Sequence, residues 1–134
     1  MTANSETHNL LVDSFAWLEY FKSTPRGELT KKYLDNSKYQ LFTLDAGVGE
    51  VKFSAERAGE SFDPIFKDIA RMSTIVSSDV LDWLSAAQIK FEKRKNTPDI
   101  GIIDCLIIHH SHKLSAKILT GDNHFKNEKN AILI

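Results

Sequence analysis

Short apolar runs alternate along the chain with longer segments in which apolar residues recur every three or four positions. The runs predict five β-strands, at 9–12, 39–44, 74–77, 116–120 and 131–134. The longer segments predict helices that begin after Ser14, after Asp45 and after Ser78 or Asp79, with further helices over 26–36, 62–72 and 100–112. Strands that alternate with helices form parallel sheets covered by helices. The pattern therefore predicts an α/β domain with a central parallel β-sheet flanked by helices on both faces.

Most predicted helices carry an apolar stripe that we expect to point inward. The stripes are Ala16, Trp17, Tyr20 and Phe21; Leu29, Tyr33 and Leu34; Val48, Val51, Ala55 and Ala58; and Val80, Leu84, Ala87 and Phe91. Ser14 and Asp45 are the predicted N-caps of two of these helices. Gly47 and Gly49 lie early in the helix after Asp45 and predict tight packing or a close approach to its backbone.

Composition and charge narrow the class of protein. The 134 residues are 42% hydrophobic and carry a net charge of −1, which suits one globular domain. We assign that domain to 9–134, after a flexible polar leader at 1–8. The single cysteine, Cys105, excludes an intrachain disulfide and indicates a reducing compartment. The sequence has neither a secretory signal nor an apolar run long enough to cross a bilayer, so we expect a cytoplasmic protein without a membrane partner.

Two acids follow predicted strands at the edge of the sheet where α/β proteins keep their binding sites. Asp13 ends the strand at 9–12, and Asp122 comes just after the strand at 116–120. The carboxyl ends of parallel strands lie at one edge, where ligands bind. We expect Gly121 to permit the turn that carries Asp122 over this edge.

Asp104 is the most informative acid, because it lies alone in the apolar segment IGIIDCLII. No Lys or Arg lies within a helical turn, so a buried carboxylate there needs a metal, a proton or a distant base; partial exposure is the alternative. Glu50, near the start of its helix, is a second candidate, although an exposed helical Glu explains it equally well. Asp99 is explained as a cap or loop acid before the helix at 100–112.

Together, Asp13, Glu50, Asp104 and Asp122 are predicted to converge on one cleft. Four carboxylates in one cleft repel each other unless cations neutralise them. An all-oxygen site of this kind suits Mg²⁺ or Mn²⁺. Such ions usually serve phosphoryl chemistry, so the four acids predict a metal site that acts on phosphodiesters.

The chain resembles the PIN-domain ribonucleases, most closely the VapC-like toxins of prokaryotic toxin–antitoxin pairs. The resemblance rests on LLVDSFAWLEYF, on the Glu of GVGEVKF and on IIDCLIIHHSHKLSAKILTGDNHF, and it runs from about Asn9 to the C-terminus. Its most specific part is the apolar strand that ends in Thr-Gly-Asp-x-His-Phe. It implies a PIN-like fold and a metal-dependent endoribonuclease that cleaves single-stranded or loop RNA, usually as a homodimer, and that an antitoxin silences by covering the cleft.

The resemblance also implies roles for individual residues. Catalysis and binding of Mg²⁺ or Mn²⁺ fall to the four acids, namely Asp13, Glu50, Asp104 and Asp122. Thr120 supports them by bonding the last Asp or a metal-bound water, and Ser14 occupies a position that is often small and polar. Phe125 is expected to pack in the core, and the role of His124 is left open.

Other conspicuous residues have simpler explanations. His109, His110 and His112 lack the i, i+4 spacing of a zinc helix, so we expect them at the surface or an interface. Cys105 is expected to be a small buried hydrophobe, and Trp17 and Trp83 to lie in the core or a dimer interface. The basic cluster Lys90, Lys93, Arg94 and Lys95 is expected to be a solvated face.

Two other functions are compatible with the sequence. One is a PIN nuclease of RNA processing or turnover that has no antitoxin. The other is a non-catalytic α/β regulatory or binding module of the flavodoxin-like type. A phosphoacceptor domain of that type needs paired acids after its first strand, whereas Asp13 is followed by Ser14 and Phe15.

Overall fold

The computed structural model describes residues 7–134, in which helices and strands alternate. The strands are β1 (His8–Val12), β2 (Tyr39–Leu44), β3 (Ser73–Val76), β4 (Ala116–Thr120) and β5 (Ala131–Leu133). The helices are α1 (Ser14–Tyr20), α2 (Pro25–Leu34), α3 (Asp45–Ala58), α4 (Phe62–Met72), α5 (Val80–Lys93) and α6 (Ile102–Lys113), with a 3₁₀ turn at Asn123–Phe125. The predicted elements are all present, with ends shifted by at most two residues. Residues 1–6 of the predicted leader lie outside the described residues, and β1 begins at its last residue.

The five strands form one parallel sheet in the order β3-β2-β1-β4-β5. The central strand β1 pairs with β4 in a register that places Val12 beside Leu119. Asp13 and Thr120 are therefore neighbours at the carboxyl edge, although 107 positions separate them.

Helices cover both faces of the sheet, as predicted. Alternate side chains of β1 show this, since Leu11 packs in one apolar cluster while Leu10 and Val12 pack in the other. The first cluster joins the sheet to α5 and α6, and the second joins it to α1, α2, α3 and α4. The fold is thus the predicted α/β architecture with a core on each side.

The predicted inward stripe of α5 is wrong. Val80, Leu84, Ala87 and Phe91 are exposed, and the face that packs against the fold carries Asp82 and Ala86. Periodicity identified an apolar face, but buried hydrogen bonds to Asp82 turn the opposite face inward. The result is a solvent-facing apolar stripe along α5.

Smaller corrections concern the other helices. In α2, Leu29 is exposed while Thr30 is buried, and in α3 the last predicted core residue, Ala58, is exposed. A Cβ at Gly49 would meet nothing, and one at Gly47 would lie at an ordinary contact distance of 4.0 Å from the amide nitrogen of Ser14. The predicted close approach to the backbone of α3 is therefore absent at both glycines.

Within residues 7–134, none of the helices combines the length and the apolar character that crossing a membrane requires.

Candidate metal centre

Asp13 is held at the carboxyl end of β1 by hydrogen bonds to both carboxylate oxygens. The Ser14 amide donates to Oδ1 at 2.8 Å, and the Thr120 hydroxyl donates to Oδ2 at 2.7 Å. Asp13, rather than the predicted Ser14, is therefore the N-cap of α1. Thr120 also differs from expectation, because it donates to Asp13 and accepts the Asp122 amide at 3.0 Å. Its single hydroxyl thus fixes the first and last acids of the predicted set.

Burial raises the pKa of Asp13 to about 7. Its side chain is nearly inaccessible, and the neighbouring charges of Glu50 and Asp104 add to the effect. The bonds from Thr120 and Ser14 act in the opposite direction, but burial prevails. Near neutral pH this carboxyl is therefore poised between its protonated and ionised forms.

Glu50 faces the same edge from α3. Its Oε1 accepts a 3.0 Å hydrogen bond from the Ser14 hydroxyl, which ties α3 to the start of α1. The residue as a whole is exposed, as the alternative of an exposed helical Glu predicted. Partial burial of its carboxyl nevertheless raises the pKa of Glu50, and the charges of Asp104 and Asp122 raise it further. Glu50 is therefore an exposed helical residue that also shares the electrostatic environment of the other acids.

Asp104 lies in the first turn of α6, where its Oδ2 accepts the Gly101 amide at 3.0 Å. The side chain is mostly buried between apolar neighbours, and Cys105 beside it is fully buried, as predicted. The partner of this carboxylate is His124, whose Nδ1 lies 2.9 Å from Asp104 Oδ2. The distant base that the sequence left open is therefore an imidazole.

Asp122 begins the 3₁₀ turn after β4 and accepts the His124 amide at 2.9 Å through Oδ1. His124 Nδ1 lies 3.4 Å from the same oxygen. Asp104, Asp122 and His124 each offer a ligand atom, and these three atoms lie within 4.8 Å of one another. The structure thus brings two of the four predicted acids together with a histidine, while Asp13 and Glu50 lie outside this compact group.

His124 is held from its other side by Asp99. Its Nε2 lies 3.1 Å from Asp99 Oδ2, and this contact is the largest cause of a raised pKa for His124, with Asp122 and Asp104 adding to it. The sequence assigned neither residue a role in the site. The available signal was the position of His124 two residues after Asp122, but only the fold brings the loop at 96–99 to it.

Gly121 is needed for a different reason from the one predicted. Its backbone does not adopt a positive φ, so the turn itself does not require glycine. A Cβ at this position would instead lie 2.2 Å from Cε1 of Phe15. The Phe15 ring therefore packs directly over the backbone that leads to Asp122.

His109 and His110 of α6 have structural partners at the α5 boundary, whereas His112 is exposed as predicted. The predicted surface position is wrong for His110, which is 1% exposed. Asp82 Oδ1 lies 2.7 Å from His109 Nε2 and 2.9 Å from Lys113 Nζ. His110 Nε2 lies 2.9 Å from the Ser78 hydroxyl. This polar cluster fixes α5 against α6 and is separate from the acidic site.

The donor set fits a hard divalent cation. Asp13, Glu50, Asp104 and Asp122 supply carboxylate oxygens, which Mg²⁺ and Mn²⁺ prefer, and His124 adds one imidazole nitrogen. The Asp99 contact resembles the carboxylate–histidine arrangement that orients imidazole ligands in metal sites. Burial raises the pKa values of Asp13 and Glu50, and repulsion from the neighbouring carboxylates adds to this rise. That repulsion would fall when a cation binds.

Comparison with known proteins identifies a matching family and solved structures of similar fold. The family model described as "PIN domain" matches residues 10–129. Among solved structures, VapC20 of Mycobacterium tuberculosis, described as a sarcin-ricin loop cleaving toxin, superposes with a TM-score of 0.74 at 13% identity, covering 90% of this chain and 95% of that one. The DNA-bound VapBC of Salmonella typhimurium superposes with a TM-score of 0.69 at 15% identity, covering 96% of this chain and 98% of that one. VapBC2 of Rickettsia felis, bound to a promoter DNA fragment, superposes with a TM-score of 0.68 at 14% identity, covering 94% of this chain and 97% of that one. No curated protein sequence matches the chain significantly.

Proposed function

Because the chain belongs to the PIN-domain family, we propose that it is a divalent-metal-dependent endoribonuclease that hydrolyses RNA phosphodiester bonds. The observation that carries the proposal is the group formed by Asp104, Asp122 and His124, whose ligand atoms lie within 4.8 Å of one another. Asp13 and Glu50 add two carboxyls at the same edge with pKa values raised by burial and by their acidic neighbours. Perturbed titratable groups that gather at the carboxyl edge of a parallel sheet are typical of active sites.

Asp104, Asp122 and His124 would hold one Mg²⁺ or Mn²⁺ ion. Asp13 and Glu50 would lie beside this ion or bind a second one. When bound, such an ion lowers the pKa of a water molecule and neutralises charge that develops on the phosphate. Thr120 keeps the Asp13 and Asp122 segments at a fixed separation through its hydroxyl. The Ser14 hydroxyl orients Glu50 through a hydrogen bond, and the Asp99 carboxylate orients His124.

Asp13 also links metal binding to the release of a proton. In the metal-free chain its pKa is about 7, so near neutral pH part of the population would yield its proton when a cation binds. Its two hydrogen bonds leave the carboxyl in one orientation.

The test is cleavage of a mixed pool of single-stranded and hairpin RNAs with Mn²⁺, with Mg²⁺ and with EDTA. Wild type should cleave only with metal, and Asp104→Asn should abolish cleavage while the circular dichroism spectrum is unchanged. Added Mn²⁺ should raise the Tm of wild type by mass action, and less so that of the variant. Cleavage by Asp104→Asn at the wild-type rate would contradict the assignment. Asp63→Asn, at an exposed position in the first turn of α4, is a matched control that should leave all of these properties unchanged.

We further propose that the protein is the toxin of a VapBC-type pair, silenced by an antitoxin protein. Support comes from the neighbours of similar fold, three of which were solved as VapBC complexes. A groove between α1, α3 and α4 combines apolar residues such as Phe21 and Ile65 with two cations, Lys22 and Arg57, and one acid, Glu60. Its apolar surface and excess positive charge suit an acidic amphipathic segment of an antitoxin. Expression in bacteria should arrest growth with wild type and not with Asp104→Asn. Uninhibited growth with a folded, RNA-cleaving wild type would instead favour a nuclease of RNA processing.

The surface that we propose for the predicted homodimer is on α5. The exposed stripe on α5 contains Val80, Leu81, Leu84 and Phe91, each more than half exposed, with Trp83 beside it. An apolar helical face of this size, unpartnered in one chain, is typical of an interface between copies. We therefore place the dimer contact on α5, away from the acidic site.

A further inference from the structure

A cavity of about 490 Å³ opens directly beside the acidic site. Asp122 and His124 form part of its wall, so the cavity and the candidate metal centre share two residues. The rest of the wall consists of one aromatic ring, the loop at 96–99 and the turn after β4, and includes Phe15, Asn96, Thr97, Pro98, Asp99, Gly121, Asn123 and Lys126. The volume lies within the range of small-molecule pockets, about 300–1,000 Å³.

The ring of Phe15 is held firmly in this wall. It packs over Gly121, where an added Cβ would lie 2.2 Å from the ring. The guanidinium carbon of Arg26 lies 5.3 Å from the ring centroid, which adds a cation–π contact. The side chain is only partly buried. It therefore contributes part of a well-packed aromatic ring to the cavity wall.

The charges of the cavity favour a neutral group over a phosphate. Asp99 and Asp122 contribute two carboxylates, and against them stand Lys126 at the rim and His124, which Asp99 already engages. Asn96 and Asn123 are exposed and add carboxamides, each of which both donates and accepts hydrogen bonds. An unpaired nucleobase matches these properties, because it is neutral, stacks on aromatic rings and presents donors and acceptors on its edge.

We propose that this cavity binds the unstacked base of the nucleotide next to the scissile phosphate, with Phe15 as its stacking surface and Asn96 and Asn123 as the residues that read its edge. The inference rests on the proposed ribonuclease function and makes it more specific. The phosphate of that nucleotide would then lie toward Asp104 and Asp122, and Lys126 would face the backbone as it leaves the site. The cavity thereby gives the enzyme a base preference at one position beside the cut.

The first arm of the test measures base preference. Sequencing the products from a random RNA pool should show a preference at one nucleotide flanking the cut. Asn96→Ala and Asn123→Ala should reduce that discrimination about tenfold, while calorimetry shows Mn²⁺ binding like that of wild type. Phe15→Leu should weaken cleavage of every sequence, and Phe15→Tyr, which keeps the aromatic surface, should restore it. Asn127→Ala, an exposed amide that lines other cavities, is the matched control and should change nothing.

The second arm is independent of cleavage. The four ribonucleoside 5′-monophosphates are titrated in the presence of Mg²⁺ and followed by amide NMR shifts. At least one should shift the signals of 96–99 and 121–126, and Phe15→Leu should weaken its binding more than Phe15→Tyr does.

The outcomes separate the two proposals. If wild type cleaves RNA with metal, but Asn96→Ala and Asn123→Ala keep the wild-type base preference, the base pocket is wrong and the nuclease stands. If wild type cleaves no RNA but a monophosphate binds through Phe15, the nuclease is wrong and the base site stands. If no monophosphate shifts these signals, the base pocket is overturned whatever the cleavage result.

Discussion

The hydroxyl of Thr120 donates a 2.7 Å hydrogen bond to Oδ2 of Asp13 and joins the carboxyl ends of β4 and β1. Both side chains are buried, and the same hydroxyl accepts the Asp122 amide. The candidate site therefore depends on one hydroxyl between strands that come from opposite ends of the sequence.

Thr120→Val should lower both stability and metal affinity. Valine keeps the shape of threonine but removes the hydroxyl, which leaves Oδ2 of Asp13 without its donor and the Asp122 amide without its acceptor. An unsatisfied buried polar group costs about 1–3 kcal/mol, so urea denaturation should show a loss of this order. Mn²⁺ calorimetry should show weaker binding. Thr120→Ser, which retains the hydroxyl, should approach wild type, and equal losses for both variants would refute the role of the hydrogen bond.

Asp122→Asn should distinguish the role of Asp122 in the 3₁₀ turn from its role in metal binding. Asparagine accepts the His124 amide as well as aspartate does, so the 3₁₀ turn should persist. The loss of one negative charge should weaken Mn²⁺ binding roughly tenfold or more and reduce RNA cleavage in parallel. Circular dichroism, calorimetry and gel electrophoresis measure the three properties. A folded variant with normal Mn²⁺ binding and cleavage would leave Asp122 as a turn residue only.

Asp13 should make the metal-free protein less stable as the pH rises. Its pKa is about 7 in the folded chain, against roughly 3.9 in the unfolded chain. Between these values the folded state binds the extra proton, so the free energy of unfolding falls with increasing pH and levels off above the folded pKa. In EDTA, the Tm of wild type should fall between pH 5 and pH 8 more than that of Asp13→Asn. Parallel curves for the two proteins would show that Asp13 titrates normally.

Asp82 should stabilise the fold in the opposite pH range. The Asp79 amide and the contacts with His109 and Lys113 lower the pKa of Asp82, so its contribution is complete above the unfolded value and is lost as the pH falls toward the folded one. Asp82→Asn should therefore have a lower Tm than wild type at pH 7, and the gap should shrink below about pH 4. Asp63→Asn, exposed on α4, is the control that should show no gap.

Leu84→Glu should convert the proposed dimer into a monomer. A charge in the centre of the apolar stripe on α5 is costly to bury against a second copy. Light scattering coupled to size-exclusion chromatography measures the mass of wild type and variant. Phe53→Glu changes an equally exposed apolar residue on α3 and should leave the mass of wild type unaltered. A dimer that survives Leu84→Glu would place the interface elsewhere.

The parts of the fold that follow from local pattern could be predicted, and the parts that depend on long-range partners could not. The run 39–44 became β2 without any shift, and Asp104 was recognisable as a lone acid in an apolar helix. The orientation of α5 depended on the partners of Asp82 in α6, which its own sequence does not contain. Likewise, the contact of His124 with Asp99 arises because a loop far from β4 in the sequence folds back beside it.

The sheet order has a consequence for the time at which the candidate site can assemble during synthesis. Asp13 follows β1 and Asp122 follows β4, its sheet neighbour, so the site requires chain from distant parts of the sequence. At ~5–20 residues per second, the ribosome completes the second acid roughly 5–20 s after the first. Throughout that interval the nascent chain lacks Asp122 and His124, and for most of it Asp104 is missing as well. A site built in this order cannot assemble until nearly all of these residues have been translated.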